Sequence, residues 1–234
     1  MARFVIIKKG DTLTKLAKTY GCKVQEIRDL NPGIKKDIIY IGEKLLIPSL
    51  KSVGSTPTPK IVEDDNRWYF PVLPWKQYNN NVGKFLDQEY LRIVGSQHPG
   101  CDINGNNGGN TDFGQPVYAI HKGVVVDATF YPVWGNIVKI YHPDAGIWSV
   151  YAHLNEMLVK KGDKVSGRTR IGGIGRGENN VYLAHLHFEI RVKDLPTNIW
   201  PSGRYGNGKK CVDFIRNNYV DGVRYLLNKG AIAA

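Results

Sequence analysis

The chain of 234 residues contains six histidines, and three of their settings have spacings that suit a metal. In His185-Leu186-His187-Phe188-Glu189-Ile190, alternate residues of an extended strand share a face. His185, His187 and Glu189 then point one way, and Leu186, Phe188 and Ile190 point into a core. Two imidazoles about 7 Å apart on one face can reach a single site; surface histidines on a strand are the alternative. In His98-Pro99-Gly100-Cys101-Asp102, Pro and Gly bend the chain so that an imidazole and a carboxylate can close on one cation. Tyr151-Ala152-His153-Leu154 ends an aromatic-rich strand and gives a third imidazole apolar neighbours. A carboxylate oxygen beside two imidazoles is a common zinc set, and three protein ligands leave a fourth position for water.

Other candidates receive plainer readings. His121, in Ile120-His121-Lys122-Gly123, is expected in an exposed turn, and His142, after a strand, is expected to pack near the site. Glu189 either orients a histidine from behind or ends in a salt bridge. Cys101 alternates away from Asp102 in an extended segment, and Cys22, Cys101 and Cys211 match no paired metal or redox spacing. Trp134, Trp148 and Trp200 are expected in core packing rather than along a cleft.

The elements that must position these groups read as short strands. Residues 117–120, 123–126, 136–141, 148–152 and 186–192 have strand patterns, and only the tail, 212–229, has helical character. Together they predict an antiparallel sheet domain with a helical tail. Ahead of it, Lys51 to Lys60 (KSVGSTPTPK) has linker composition. The organisation expected is a module at 1–50, a linker at 51–66 and a larger domain at 67–234.

The first module reads strand, helix, helix, strand. Residues 4–8 are β-rich; Gly10-Asp11-Thr12 supplies a turn and an N-cap for Leu13, Leu16 and Ala17 at helical spacing. Tyr20-Gly21 closes that helix. Val24, Ile27 and Leu30 carry a second helix that Asn31-Pro32-Gly33 stops, and residues 38–41 and 45–48 return as a strand. These landmarks, with Ile41-Gly42-x-x-Leu45-x-Ile47-Pro48, resemble a LysM module over residues 3–48. That resemblance implies a βααβ fold that binds N-acetylglucosamine-containing glycan between two loops. By position these hold Gly10, Asp11, Thr12 and Leu13, and Asn31, Pro32, Gly33 and Ile34.

His98-x-Gly100-x-Asp102, Tyr151-Ala152-His153-Leu154 and His185-Leu186-His187-Phe188-Glu189 resemble, in order and spacing, the lysostaphin-type zinc endopeptidases, also called LytM-like peptidoglycan hydrolases. Gly162-Asp163, Ile171-Gly172 and Gly175 match the turn before their His-x-His strand, so the likeness runs from about 95 to 192. The resemblance implies an α+β, mainly β chain: a LysM module plus an antiparallel, duplicated-hybrid-motif peptidase domain. It implies zinc on His98, Asp102 and His187, with His153 and His185 as the two non-ligand histidines, either of which serves as general base. Two stretches depart from the pattern: the Gly/Asn-rich insertion 104–112, expected as a loop beside the cleft, and 178–184, which replaces the usual Ser-Thr-Gly turn.

The function expected is cleavage of a peptide bond in the peptidoglycan stem or cross-bridge, targeted by the glycan-binding module. The alternative is a wall-binding structural or virion component with a silent site. Thirty-two Lys and Arg against 21 Asp and Glu leave +11. Residues 1–50 hold 10 against 5, and the remainder 22 against 16. Both parts are basic, which suits an anionic wall; no helix-turn-helix, zinc-finger spacing or basic stripe supports nucleic acid. Paired carboxylates for a glycosidase are not evident. No apolar run approaches the ~18 residues of a membrane span, and the start, MARFVIIKKG, lacks a secretory signal. A phage-associated, lysis-released or signal-trimmed enzyme acting at the bacterial wall is the expectation, a monomer unless it is part of a virion.

Overall fold

The computed structural model describes residues 2–7, 10–20, 22–34, 37–48 and 66–234, and its contacts separate two units, Met1–Ile61 and Val62–Ala234. The linker expected at 51–66 lies, but for its last residue, outside the described residues, as does Gly21 at the expected helix end.

The first unit is βααβ: strand β1 (Ala2–Ile6), helices α1 (Leu13–Tyr20) and α2 (Val24–Leu30), and strand β2 (Lys44–Pro48). The strands pair antiparallel with Val5 opposite Leu45. A two-stranded sheet is marginal in water, and here Leu13, Leu16, Ala17 and Ile27 from the helices pack with Ile7, Leu45 and Ile47. Thr12 caps α1, its Oγ1 accepting from the Lys15 amide at 3.1 Å. The return strand is shorter than its sequence pattern suggests. Gly42, at φ +89°, turns the chain in the left-handed region, so only Lys44–Pro48 pairs with β1.

The second unit is mainly antiparallel sheet. Its strands are β3 (Tyr78–Asn79), β4 (Cys101–Gly105), β5 (Pro116–Tyr118), β6 (Gly123–Tyr131), β7 (Gly135–His142), β8 (Ile147–Met157), β9 (Lys164–Val165), β10 (Arg170–Ile174), β11 (Leu186–Arg191) and β12 (Tyr219–Val220). Helices α3 (Gln88–Val94), α4 (Pro201–Tyr205), α5 (Lys209–Asn218) and α6 (Gly222–Asn228) complete it. The strand order is β3-β4-β11-β8-β7-β6-β9, with β10 bridging β5 and β8, and β12 added to β11. Ile103, Ile140, Tyr151, Leu186, Phe188 and Ile190 lie in the main core. The central strand β11, flanked by β4 and β8, is buried along its whole length.

Three differences from the sequence pattern have local causes. Strand β6 runs to Tyr131 because it pairs with β7 as far as Gly135, and β8 runs to Met157 because it pairs with β7 as far as Leu154 and then with β10. Helix α3 carries few core residues; its signals are the Asp87 side chain accepting from the Glu89 amide and Gly95 at φ +73°. The tail is two helices rather than one. Tyr219–Val220 pairs with Ile190 and Arg191 of β11, and Asp221 then caps α6 by accepting from the Arg224 amide.

Candidate metal and catalytic site

Two neighbouring strands set the centre of the site. Antiparallel pairing places His187 of β11 directly opposite Asp102 of β4, and the other neighbour, β8, places Ala152 opposite His187 with His153 next along. His98 comes from the turn before β4. That turn lies against β11 because residue 100 is glycine: a Cβ there would stand 2.6 Å from the Phe188 carbonyl oxygen and 2.8 Å from Glu189 Cγ. His98, Asp102 and His187 each offer one ligand atom, all within 4.8 Å of one another. His187 Nδ1 is 2.9 Å from Asp102 Oδ1, and His98 Nε2 is 3.2 Å from that oxygen and 3.1 Å from His187 Nδ1. Ligand atoms on a tetrahedral zinc at ~2.0–2.1 Å are separated by about 3.3 Å.

The outer ring nitrogens decide what the inner ones can do. His98 Nδ1–H donates to the Lys84 carbonyl at 3.2 Å, and His187 Nε2–H donates to Glu189 Oε1 at 3.0 Å. In the neutral rings, therefore, His98 Nε2 and His187 Nδ1 are lone pairs that face a carboxylate oxygen. Three acceptors so placed require a positive charge between them, a proton or a metal ion, and the chemistry of the set fits zinc. Burial disfavours the His187 imidazolium, yet hydrogen bonds to Asp102 and Glu189 outweigh it and push the ring up to about 9. Asp102 is held well below the usual carboxylate range: burial opposes this, but His98 and His187 win.

Glu189 is both a histidine partner and a salt-bridge member. Its second oxygen accepts from Arg191 Nε at 2.6 Å, and Arg191 also donates to the carbonyls of Pro196 and Thr197. Burial raises the Glu189 carboxyl, but Arg191 and His187 together bring it down to about 2.

His153 and His185 stand beside this centre, their rings 4.8 Å apart. His153 Nδ1–H donates to the Trp134 carbonyl at 2.8 Å, which leaves Nε2 as an acceptor. Burial, then His185 and His187, push His153 down to about 3, so it stays neutral. Its φ of +63° is unusual for a non-glycine residue. Val133, one residue before Trp134, has φ +68° and is held by its amide donating to Glu178 Oε2 at 2.7 Å. Such conformations cost about 1–3 kcal/mol each and persist where the surroundings over-determine them. His185 Nδ1–H donates to the Leu183 carbonyl at 2.8 Å, and its Nε2 lies 3.8 Å from Asp102 Oδ1.

These residues open onto a cavity of about 690 Å³ lined by Asp102, His153, His185 and His187, together with Trp134 and Trp200. Both tryptophans, expected in the core, are wall residues, whereas Trp148 packs on Tyr141 at 4.7 Å. Sequence reasoning did not single out Tyr90 or Tyr182, which line the same cavity; the Tyr90 ring stands 4.5 Å from His98. Tyr90 sits within the Gln88–Val94 helix, whose capping signals were the only available clue.

Two histidines differ from expectation. His121 is buried, not exposed: it stacks on Trp68 at 4.1 Å and its Nδ1–H donates to the Arg67 carbonyl. His142 packs with that pair, 6.1 Å from each ring, and outside the cavity. The 104–112 stretch continues β4 to Gly105 and then turns beside a second, polar hollow of about 320 Å³. Cys101 faces the core, as its alternation predicts.

In the first unit, the loops 10–13 and 31–34 place their residues unequally. Gly10, Thr12, Pro32 and Gly33 are exposed and Asp11 half-buried, whereas Leu13 is in the core and Ile34 packs against it. The Asn31 side chain is used internally, donating to the Ile27 and Leu46 carbonyls and accepting from the Leu46 amide.

Residues 96–199 match peptidase family M23, and residues 5–48 match the LysM domain. The peptidoglycan DD-endopeptidase ShyC of Vibrio cholerae is 34% identical over 236 residues, covering 89% of this chain and 52% of that protein. The uncharacterized lipoprotein YgeR of Escherichia coli is 28% identical over 200 residues, covering 80% and 75%. The chain thus spans about half the length of ShyC. Among solved structures, the antimicrobial peptidase lysostaphin from Staphylococcus simulans superposes with a TM-score of 0.51 at 23% identity, covering 71% of this chain and 56% of that one, a likeness of fold. M23 peptidases are zinc metallopeptidases. Residues 96–199 are accordingly a metallopeptidase domain of family M23, in a chain that also carries a LysM domain.

Proposed function

We propose that this chain hydrolyses a peptide bond in the stem or cross-bridge of peptidoglycan at the bacterial cell wall, with the LysM domain holding the glycan. The observation that carries this reading is the convergence of His98 Nε2, Asp102 Oδ1 and His187 Nδ1 beside two further imidazoles on one cavity wall. The three groups would hold zinc, with His98 fixed by Lys84 and His187 by Glu189 from behind. Bound there, zinc supplies a Lewis acid that polarises the scissile carbonyl and activates water.

His153 and His185 take the proton work. Each ring has its Nδ1–H committed to a backbone carbonyl, Trp134 or Leu183, so each offers Nε2 as an acceptor. One accepts the proton of the attacking water at its Nε2 and returns it to the leaving amine; the other supports charge on the carbonyl oxygen only when its own Nε2 is protonated and donates. Trp134, Trp200, Tyr90 and Tyr182 wall the cavity and exclude water around an extended peptide. In the LysM domain, the exposed parts of 10–13 and 31–34 are the proposed glycan contacts. Tethering to glycan raises the local concentration of cleavable bonds.

The test is mass spectrometry of fragments released from purified peptidoglycan of several chemotypes by the zinc-loaded chain, with and without chelator. New amino termini that vanish with chelator and in His98→Ala or His187→Ala are expected. Fragments that persist after complete zinc removal, or glycan cleavage in place of peptide cleavage, would overturn the reading.

A further inference from the structure

We propose that Asn110 is a positioning residue for His185 and acts through a single peptide group. The inference rests on the reading of His185 as a proton-transfer residue. The Leu183–Ala184 peptide is bonded on both sides. On one side its carbonyl accepts from His185 Nδ1–H at 2.8 Å. On the other its N–H, that of Ala184, donates to Asn110 Oδ1 at 2.8 Å.

The two bonds are mechanically one. Peptide planarity locks the C=O and the N–H of a single unit together, so the acceptor that fixes the N–H also fixes the tilt of the carbonyl. The carbonyl in turn fixes the imidazole: it can only accept, so Nδ1 carries the proton and Nε2 keeps the lone pair. Bonds in such a chain also polarise one another, which strengthens the hold of the carbonyl on Nδ1–H.

Asn110 is suited to this because its loop is held. The loop is closed by the Gly105 amide donating to Asp112 Oδ2 at 2.9 Å and by Thr111 Oγ1 donating to the Gly108 carbonyl at 2.8 Å. It is tied outward by Asn106, whose side chain donates to the Lys76 carbonyl at 2.7 Å, and by the Gly114 amide donating to the Ile174 carbonyl at 2.7 Å. In the segment before His185, Val181 and Leu183 are exposed, Ala184 is buried, and the Tyr182 carbonyl accepts from Arg176 Nε at 2.9 Å. Asn110 itself is exposed, so its replacement removes no core contact.

The experiment compares the zinc-loaded full chain with Asn110→Ala and Asn110→Asp. Two readouts are taken: the His185 ring nitrogens by ¹⁵N NMR, assigned by their loss in His185→Ala, and kcat and KM on a purified muropeptide identified as substrate. In the parent, the His185 proton is expected on Nδ1. In Asn110→Ala, the signals move toward a mixture of tautomers and kcat falls roughly 3- to 10-fold, the worth of one hydrogen bond, with KM unchanged. Asn110→Asp, which keeps the acceptor oxygen, restores both. An unaltered tautomer in Asn110→Ala overturns the relay. A shifted tautomer with unchanged kcat upholds the relay and instead removes His185 from the chemistry. Equal losses in Ala and Asp variants at an unchanged melting temperature also overturn it, because the acceptor would then be irrelevant.

Discussion

His187 and Glu189, two residues apart on β11, share a hydrogen bond of 3.0 Å between Nε2 and Oε1, and both side chains are buried. Alternation along the strand places them on one face, and Arg191, next on that face, completes a row in which each charge meets its opposite. Arg191 then reaches the Pro196 and Thr197 carbonyls, a few residues before Trp200 on the cavity wall. The row therefore connects the metal-facing imidazole to the segment that shapes the cavity.

Removing Glu189 exposes how much this row carries. Glu189→Ala leaves the Arg191 guanidinium buried without its carboxylate, and breaking a buried pair from one side costs about 3–5 kcal/mol. Glu189→Gln keeps an acceptor for His187 Nε2–H but loses the charge. Its zinc affinity is expected to fall about 10- to 100-fold, the usual effect of altering a group behind a metal ligand. Competition against a chromophoric chelator gives the affinity, and denaturant unfolding gives the stability. A Gln variant with parental affinity would show that charge on Glu189 does not matter to the site.

Gly100→Ala is expected to damage the metal site without touching a ligand. The new Cβ would lie 2.6 Å from the Phe188 carbonyl oxygen, a backbone atom that cannot rotate away. The turn carrying His98 must lift from β11, at a cost of about 1–3 kcal/mol from overpacking. Zinc content per chain and the melting temperature should both drop. A variant that binds zinc as tightly as the parent would mean that the turn relaxes locally.

What could be read from sequence follows the range of the interactions. The faces of His185, His187 and Glu189 were legible because strand alternation is local, as were the two first-unit helices, whose apolar spacing is helical. The pairing of Asp102 opposite His187 is a matter of strand register, and no local signal sets it. His121 was misread for the same reason: Trp68, the ring it stacks on, lies 53 positions away in the chain. The break in the tail at Tyr219–Val220 depends on pairing with β11, which overrides the helical pattern around it. Nothing in the composition of the 104–112 stretch indicates that Asn110 bonds Ala184.

Acid should destabilise the fold through His142. Burial is the main cause that pushes its imidazole down to about 4, while its Nδ1–H donates to the Lys122 carbonyl and its Nε2 accepts from Ser149 Oγ. An unfolded histidine titrates near 6.5. Between that value and about 4 the unfolded chain binds a proton that the folded chain refuses, so stability is lost as pH falls, by about 1.4 kcal/mol per unit for this group. His142→Asn should be less stable at pH 8 but show a shallower decline from pH 6.5 to 4.5. Denaturant unfolding at each pH measures both, and parallel pH profiles for parent and variant would exclude His142 as a source of the slope.

The LysM domain offers a test that separates folding from recognition. Asn31 lies in a loop proposed to face glycan, yet its amide group is fully engaged with Ile27 and Leu46 of its own domain. Asn31→Ala strands the Leu46 amide and two carbonyls, at a cost of about 1–3 kcal/mol for partly buried groups. Hydrogen exchange at the Leu46 amide should accelerate accordingly. Asn31→Asp keeps the acceptor for Leu46 N–H but turns a carboxylate oxygen toward two carbonyls, so it should be no better. If Asn31 acts only through the fold, binding to purified peptidoglycan survives at low temperature and fails above the lowered melting point of the domain. A loss of binding that is equal at all temperatures, with Leu46 exchange unchanged, would instead make Asn31 a direct glycan contact.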